Sequence, residues 1–251
     1  MPNEKATRRG HADTDEREFS GESLGILRRA QGEMLWLIDR GYPIKNAATF
    51  VGNHYMLSNR QRLALTRATS PTVSAAARKR KEVSSCRGQI VSIDGFNLII
   101  TLEVALSGSL LIKCMDGTVR DLAGLRGTYR LIDKTDAAIP LIGQKLQSMG
   151  ISGAVFYLDA PVSNTGRLKT RIYELLGAYD YDISVELVKN ADALLKGRAH
   201  VVTSDSIVLD ACASWINLAA SIIVGSVSGA GYIDLSMGDL SENPIKNDTP
   251  G

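Results

Sequence analysis

Histidine and cysteine are scarce in this 251-residue sequence, with three of each. The histidines, His11, His54 and His200, stand apart from any serine or cysteine in a nucleophile setting, and His200 reads as a structural residue ahead of "VVTSD". Cys86, Cys114 and Cys212 are odd in number, widely spaced and form no CxxC pair. That pattern excludes a zinc knuckle and a disulfide framework, and fits reduced packing residues of a cytoplasmic protein. A P-loop is absent. The turn "DGFN" carries one glycine, too few for a dinucleotide fingerprint. A haloacid-dehalogenase phosphatase wants a second Asp two residues after its first, and here that position is Phe96. The opening "MPNEKATRRGHADTDEREFS" has no apolar stretch of signal-peptide kind. The longest greasy run, Trp215 to Tyr232, holds Asn217 and several Gly and Ser and has no flanking basic anchors. It reads as a helix end followed by a buried strand, "SIIVGS", and no membrane contact is expected.

What is present is ordinary in amount and uneven in place. Hydrophobic residues make up 44% and charged residues 22%, as in globular proteins. The net charge of +2 conceals an asymmetry. Residues 1–90 hold 16 Lys/Arg against 9 Asp/Glu, and residues 91–251 hold 13 against 18. A basic front joined to an acidic back suggests that the front meets a polyanion, with a solvated basic face as the competing reading.

The chain divides into five parts. Residues 1–22 read as a disordered tail. Residues 23–72 carry three short helical patterns, with Gly41, Pro43 and Pro71 as stops and Ser58 or Asn59 as a cap, and with Trp36 and Tyr42 assigned to the core. Residues 73–88, "VSAAARKRKEVSSCRG", read as a basic linker. Residues 89–238 alternate strand and helix, with a D-G hairpin in "LLIKCMDGTVRDL". Residues 239–251 are a C-terminal tail. Near-continuous apolar strands joined by helices predict an α/β protein: a small helical module followed by an α/β/α sandwich with a mainly parallel sheet.

Four predicted strands end at or near a carboxylate: "SID" at Asp94, "FYLD" at Asp159, "VKNAD" at Asp192 and "VTSD" at Asp205. Open parallel sheets bind ligands beyond the carboxyl ends of their strands. Carboxylates gathered on that edge repel unless protonated or bridged by a cation. All-oxygen ligation suits Mg²⁺ or Mn²⁺. For any single Asp the alternative is an N-cap for the next helix; the set of four favours a site.

The ordered motifs "IDGFN", "NADALL" and "VVTSDS" resemble the PIN-like ribonuclease superfamily, in particular its NYN branch, over roughly Gln89 to Leu235. The segments "WLIDRGYP", "NRQRLAL", "DGFNLIITLEVALSG", "VRDLAGLRGTYR", "YLDAPVSNTGRLK" and "VVTSDSIVLD" also resemble a prokaryotic two-domain family, the domain of unknown function numbered 434 followed by a partner domain. The first resemblance implies a PIN-like fold and metal-dependent hydrolysis of a phosphodiester, with single-stranded RNA as the expected partner. It implies Asp94, Asp192 and Asp205 as catalytic and metal-binding acids, with Asn97 orienting the metal or its water. Where NYN-type nucleases carry two acids in tandem, this chain has Asp192 then Ala193, and Asp159, Glu103 or Asp210 would supply the missing charge. The rival function is a non-catalytic PIN-like module that binds RNA, a nucleotide or a protein.

Three segments suggest substrate contacts. "RDLAGLRGTYR" offers Arg120, Arg126 and Arg130 for phosphates and Tyr129 for stacking, against a structural Arg–Asp pair. "APVSNTGRLK" places Ser163, Asn164 and Arg167 at a helix start, against a plain cap. Ser204 neighbours Asp205. In the front module, Arg60, Arg62 and Arg67 with "RKRK" would meet phosphates.

Overall fold

Helix α1 (Asp15–Glu18) opens the fold, followed by α2 (Gly21–Ile38), α3 (Ile44–His54), α4 (Asn59–Ala68) and α5 (Thr72–Lys81). The computed structural model describes residues 7–124 and 127–237. After the helices come β1 (Ile90–Asp94), α6 (Gly95–Leu106), β2 (Leu111–Lys113), β3 (Val119–Asp121), α7 (Asp133–Ser148), β4 (Gly153–Asp159), α8 (Thr165–Leu176) and β5 (Asp182–Val188). The order closes with α9 (Ala191–Leu195), β6 (Val201–Val202), α10 (Ser206–Ala211), α11 (Leu218–Ser226) and β7 (Tyr232–Asp234).

Strands β5-β4-β1-β6 form a wholly parallel sheet in that order. Alternation along the strands builds a core on each face. Val91 and Ile93 of β1, with Ala154, Phe156 and Leu158 of β4, pack under α6, α7, α8 and α11. Val155 and Tyr157 face the other way, toward Leu195 of α9, Val208 and Leu209 of α10, and Trp215. The result is an α/β/α sandwich with one thick and one thin helical layer.

A second sheet, β3-β2-β7, pairs β2 antiparallel with β3 and parallel with β7. Its Leu111 and Val119 join the sandwich core. Its Ile112 joins Leu27, Met34, Val51 and Leu65 in the core of the helical module. The small sheet is therefore a shared wall, and the two parts fold onto each other. Ser58 and Gln61 close a capping box at the start of α4, as the Ser58 cap reading expects.

Several expectations are corrected. The basic segment 73–88 does not run as a free linker: it begins in helix α5, which packs on α10. Residues 7–22 are docked, with Phe19 buried and Arg60 paired to Asp15. "SIIVGS" is helical, in α11, because Leu218, Ala219, Ile222 and Ile223 repeat at helical spacing toward the core. Trp36 and Tyr42 lie outside the core, 51% and 56% exposed. The 239–251 tail lies outside the described residues.

Several of the front basic residues are engaged within the molecule, while Lys79 and Arg80 of the "RKRK" run are exposed. Arg60 pairs with Asp15, Arg67 with Asp121, and Arg78 with both Asp116 and Asp210. Arg62 donates to the carbonyls of Leu57 and Gly52, and Lys81 to those of Leu209 and Asp210. Arg67 and Arg78 thus join the front half to acids of the back half, whereas Arg60 pairs within the front half.

Gly95 is fixed by closeness. A Cβ there would meet Leu158 Cδ2 at 2.5 Å and the Tyr157 carbonyl oxygen at 3.2 Å. The first turn of α6 lies directly on β4, and only glycine fits. Gly95→Ala is expected to cost about 1–3 kcal/mol in chemical denaturation, the usual range for overpacking; a cost below about 0.5 kcal/mol would show that β4 yields freely.

Candidate functional site

The chain leaves β1 for β4 and β5 on one side, then returns to place β6 on the other. That reversal opens a crevice between the carboxyl ends of β1 and β6, the position where open α/β sheets bind ligands. Asp94 ends β1 and Thr203, Ser204 and Asp205 follow β6, so the two segments meet there: Thr203 bonds the buried Asp94, and Ser204 and Asp205 line the open cleft.

Asp94 is 6% exposed and caps α6. Its Oδ1 accepts from the Asn97 backbone N–H at 3.3 Å and its Oδ2 from the Thr203 hydroxyl at 2.9 Å. Burial pushes its pKa up to about 7; Asp192 and Asp205 push the same way, against the two hydrogen bonds. Asn97 Oδ1 accepts from both the backbone N–H and the hydroxyl of Ser204, at 2.8 and 2.9 Å. That double contact ties the start of α6 to the loop after β6 and turns the Asn97 amide nitrogen away from it.

Asp205 caps α10 by accepting from Ile207 and Val208 N–H through one oxygen, Oδ1. Its Oδ2 has no hydrogen-bond partner among the described residues. Asp192 lies in the first turn of α9, whose cap is Asn190. Its pKa is raised by partial burial and then by Asp205 and Asp159. Asp159 Oδ1 accepts from the Ala191 N–H at 2.9 Å, so it anchors α9. Asp94 and Asp205 both cap helices, as the cap reading expects, and Asp205 lines the open cleft whereas Asp94 lies buried behind it.

Among the described residues no three His, Cys, Asp or Glu side chains stand close enough together to enclose a metal ion. A caged ion is therefore not what this geometry fits. The donor set is one or two carboxylate oxygens beside a crevice, raised in proton affinity by burial and mutual repulsion. A divalent ion placed against these oxygens would have to keep several waters of its own and take phosphate oxygens as well, as Mg²⁺ does.

The substrate residues expected from sequence divide. Ser204 is in the crevice. Arg120 is not a phosphate grip: its side chain is buried, paired to Asp116 and bonded to the carbonyls of Ser204 and Arg67. It holds the loop that carries Asp205. Tyr129 is fully buried and donates to Glu103, so it offers no stacking face. Arg130 is exposed, and its carbonyl accepts from Arg9. Ser163 and Asn164 bond Tyr129 backbone and so hold a loop, with Asn164 at φ 62° starting α8 without a side-chain cap. Arg167 is exposed on α8. Arg126 lies outside the described residues.

Sequence reasoning missed Thr203 and the buried Asp116. Thr203 stands immediately before "SD" and its hydroxyl bridges Asp94 to the Asp205 N–H. Asp116, in the hairpin turn, accepts from Arg78, Arg120 and Thr118. The D-G turn accounts for its residue type, and nothing local in the sequence signals its partners.

Fold and crevice define the class: an open parallel α/β sandwich with a strand-end polar site, fused to a helical module. The chain belongs to the family described as Domain of unknown function (DUF5616), whose model matches residues 83–221. Residues 26–81 match Protein of unknown function (DUF434), so that α5 falls in the front module. The chain is 37% identical over 185 residues to the "Uncharacterized protein MJ0935" of Methanocaldococcus jannaschii, covering 73% of this chain and 88% of that protein. No solved structure matches. No helix among the described residues is long and apolar enough to cross a membrane.

Proposed function

We propose that the crevice is the active site of a divalent-metal-dependent nuclease with a PIN-like fold, acting on single-stranded RNA in the cytoplasm. The observation that carries this reading is the pair of acids at the switch point. Asp94 is buried at the end of β1 with a raised proton affinity, and Asp205 faces the same crevice with one oxygen uncommitted among the described residues. Burying a carboxylate beside other carboxylates is costly unless a proton or a cation offsets it. The strand order, with β1 central and β6 on the far side of the reversal, supports the PIN-like assignment.

Asp94 and Asp205 would hold the ion, with Asp192 contributing charge from α9. Asn97 and Thr203 fix the geometry: one clamps the loop after β6, the other locks the Asp94 carboxylate. An ion bound there would screen charge on a phosphoryl group and acidify a water. Asp205, through the oxygen not used in its cap, would orient that water. The Ser204 hydroxyl is spent on Asn97 and steadies the loop before Asp205, and no histidine is required.

The test is cleavage of a mixed single-stranded RNA pool by the full chain with Mg²⁺ or Mn²⁺ and with EDTA. Metal-dependent products that are lost in Asp205→Asn are expected. Cleavage at an unchanged rate in that variant would remove Asp205 from the site.

A further inference from the structure

We infer that the cleft between the helical module and the sheet edge is a binding site for a single nucleotide unit, with its phosphate at Asp205 and its base and ribose against α4 and α5. The cleft encloses about 630 Å³, within the roughly 300–1,000 Å³ of small-molecule sites. One wall is the crevice described above, through Asn97, Ser204 and Asp205. The other wall belongs to the front module, through Arg67, Ser70 and Ser74. The two families' segments therefore build one cavity, and the inference extends the nuclease reading, resting on it for the phosphate end.

The lining selects the ligand class. Three guanidiniums, of Arg67, Arg78 and Arg120, face three carboxylates, of Asp121, Asp205 and Asp210. The cleft thus has no large net field, which suits a ligand with one charged group and a neutral, hydrogen-bonding body. A bare polyanion backbone would want the opposite. The hydroxyls of Ser74 and Ser206 and the amide nitrogen of Asn97 have no hydrogen-bond partner among the described residues, and each lines the cleft. Such groups match the donors and acceptors of a base and the hydroxyls of a ribose. Pro71, Ile44 and the edges of Phe96 and Ile100 supply an apolar surface for a flat ring. Arg67 keeps its guanidinium on the Asp121 carboxylate and on the carbonyls of Asp121 and Ala123. The buried Arg78 and Arg120 are held by Asp116 and serve as the frame.

The unit can be a free mononucleotide or the end of a strand, because α4 and α5 wall the cleft on the side away from the sheet. The test is calorimetric titration of the full chain with 5′-AMP and 5′-UMP in Mg²⁺ buffer. Wild type is expected to bind both, Ser74→Trp to bind at least tenfold more weakly, and Ser74→Ala to stay within about twofold. Melting temperature is measured for each, and Ser74→Leu replaces the Trp variant if that one melts lower. Linear and circular single-stranded RNA of the same sequence are then added as competitors. Displacement by the linear form only assigns the strand end, and displacement by neither assigns the free nucleotide. Absence of heat with wild type at millimolar nucleotide, equal affinity in the filled variants, or equal displacement by the circle would overturn the inference. The two readings separate cleanly. RNA cleavage without Ser74-dependent nucleotide binding sinks the cleft and leaves the nuclease, whereas Ser74-dependent nucleotide binding without cleavage does the reverse.

Discussion

Asp94→Asn is expected to lower metal-dependent RNA cleavage about 100-fold or more while making the metal-free protein more stable at pH 8. Both effects have one source. The folded chain holds Asp94 with its pKa pushed up to about 7 by burial and by its acidic neighbours, against about 3.9 in an unfolded chain. Between about pH 4 and pH 7 the native state binds the extra proton, so stability falls as pH rises through that window. Above it the ionised, buried carboxylate costs on the order of 4 kcal/mol at most. Asn keeps an acceptor for Thr203 and carries no charge. In EDTA, wild type and variant are expected to unfold alike near pH 4, and the variant to be more stable at pH 8 by at least about 1 kcal/mol. A difference in stability that stays constant from pH 4 to pH 8 would mean that Asp94 titrates normally.

Asp116→Ala is expected to be the most destabilising single change, by about 3–5 kcal/mol in chemical denaturation. Asp116 is fully buried and joins the two halves of the molecule. Burial raises its pKa, but Arg120, Thr118 and Arg78 overcome that and hold it below the usual carboxylate range. Its stabilisation is therefore present above the unfolded value and lost as pH falls through the depressed one. Removing the carboxylate leaves the Arg78 and Arg120 guanidiniums buried with their shared acceptor gone. Arg120 also holds the Ser204 carbonyl, so the loop bearing Asp205 loosens with it. Asp210→Ala is the control: that carboxylate is half-exposed and pairs with Arg78 alone, and its loss is expected to cost about 1 kcal/mol or less. Equal costs for the two would show that the buried network does not join the halves.

The parallel sandwich was legible because its strands are long, apolar and end abruptly. The expected strand "QIVSID" overruns β1 by Gln89 alone and "GAVFYLD" coincides with β4, and the helices between them carry clear helical stripes. "SIIVGS" misled because a short apolar run of β-branched residues has no period that separates strand from helix, and its neighbours α6 and α7 decided the outcome. The segment 73–88 misled because its charge suggests solvent, whereas Arg78 and Lys81 spend theirs on Asp116, Asp210 and the last carbonyls of α10. Arg120 misled for the same reason: sequence shows that a guanidinium is present, and only packing shows that its partners are already in place. Asp94, Asp159, Asp192 and Asp205 were expected on one edge from strand ends, and Asn97 only from the PIN-like resemblance; Asp94 and Asp159 do end the paired parallel strands β1 and β4. Thr203 and the cleft wall at Ser74 depend on contacts across 109 residues and across the two modules, which no local pattern encodes.

Direct titration of Mn²⁺, followed by the electron paramagnetic resonance of the free ion, tests the shared-cation account most directly. Wild type is expected to take up Mn²⁺ at near-neutral pH, to bind it progressively more weakly as pH falls and protons compete for Asp94, and to lose it in Asp94→Asn and Asp205→Asn. Uptake that is equal in all three proteins, or absent from the wild type, would contradict it.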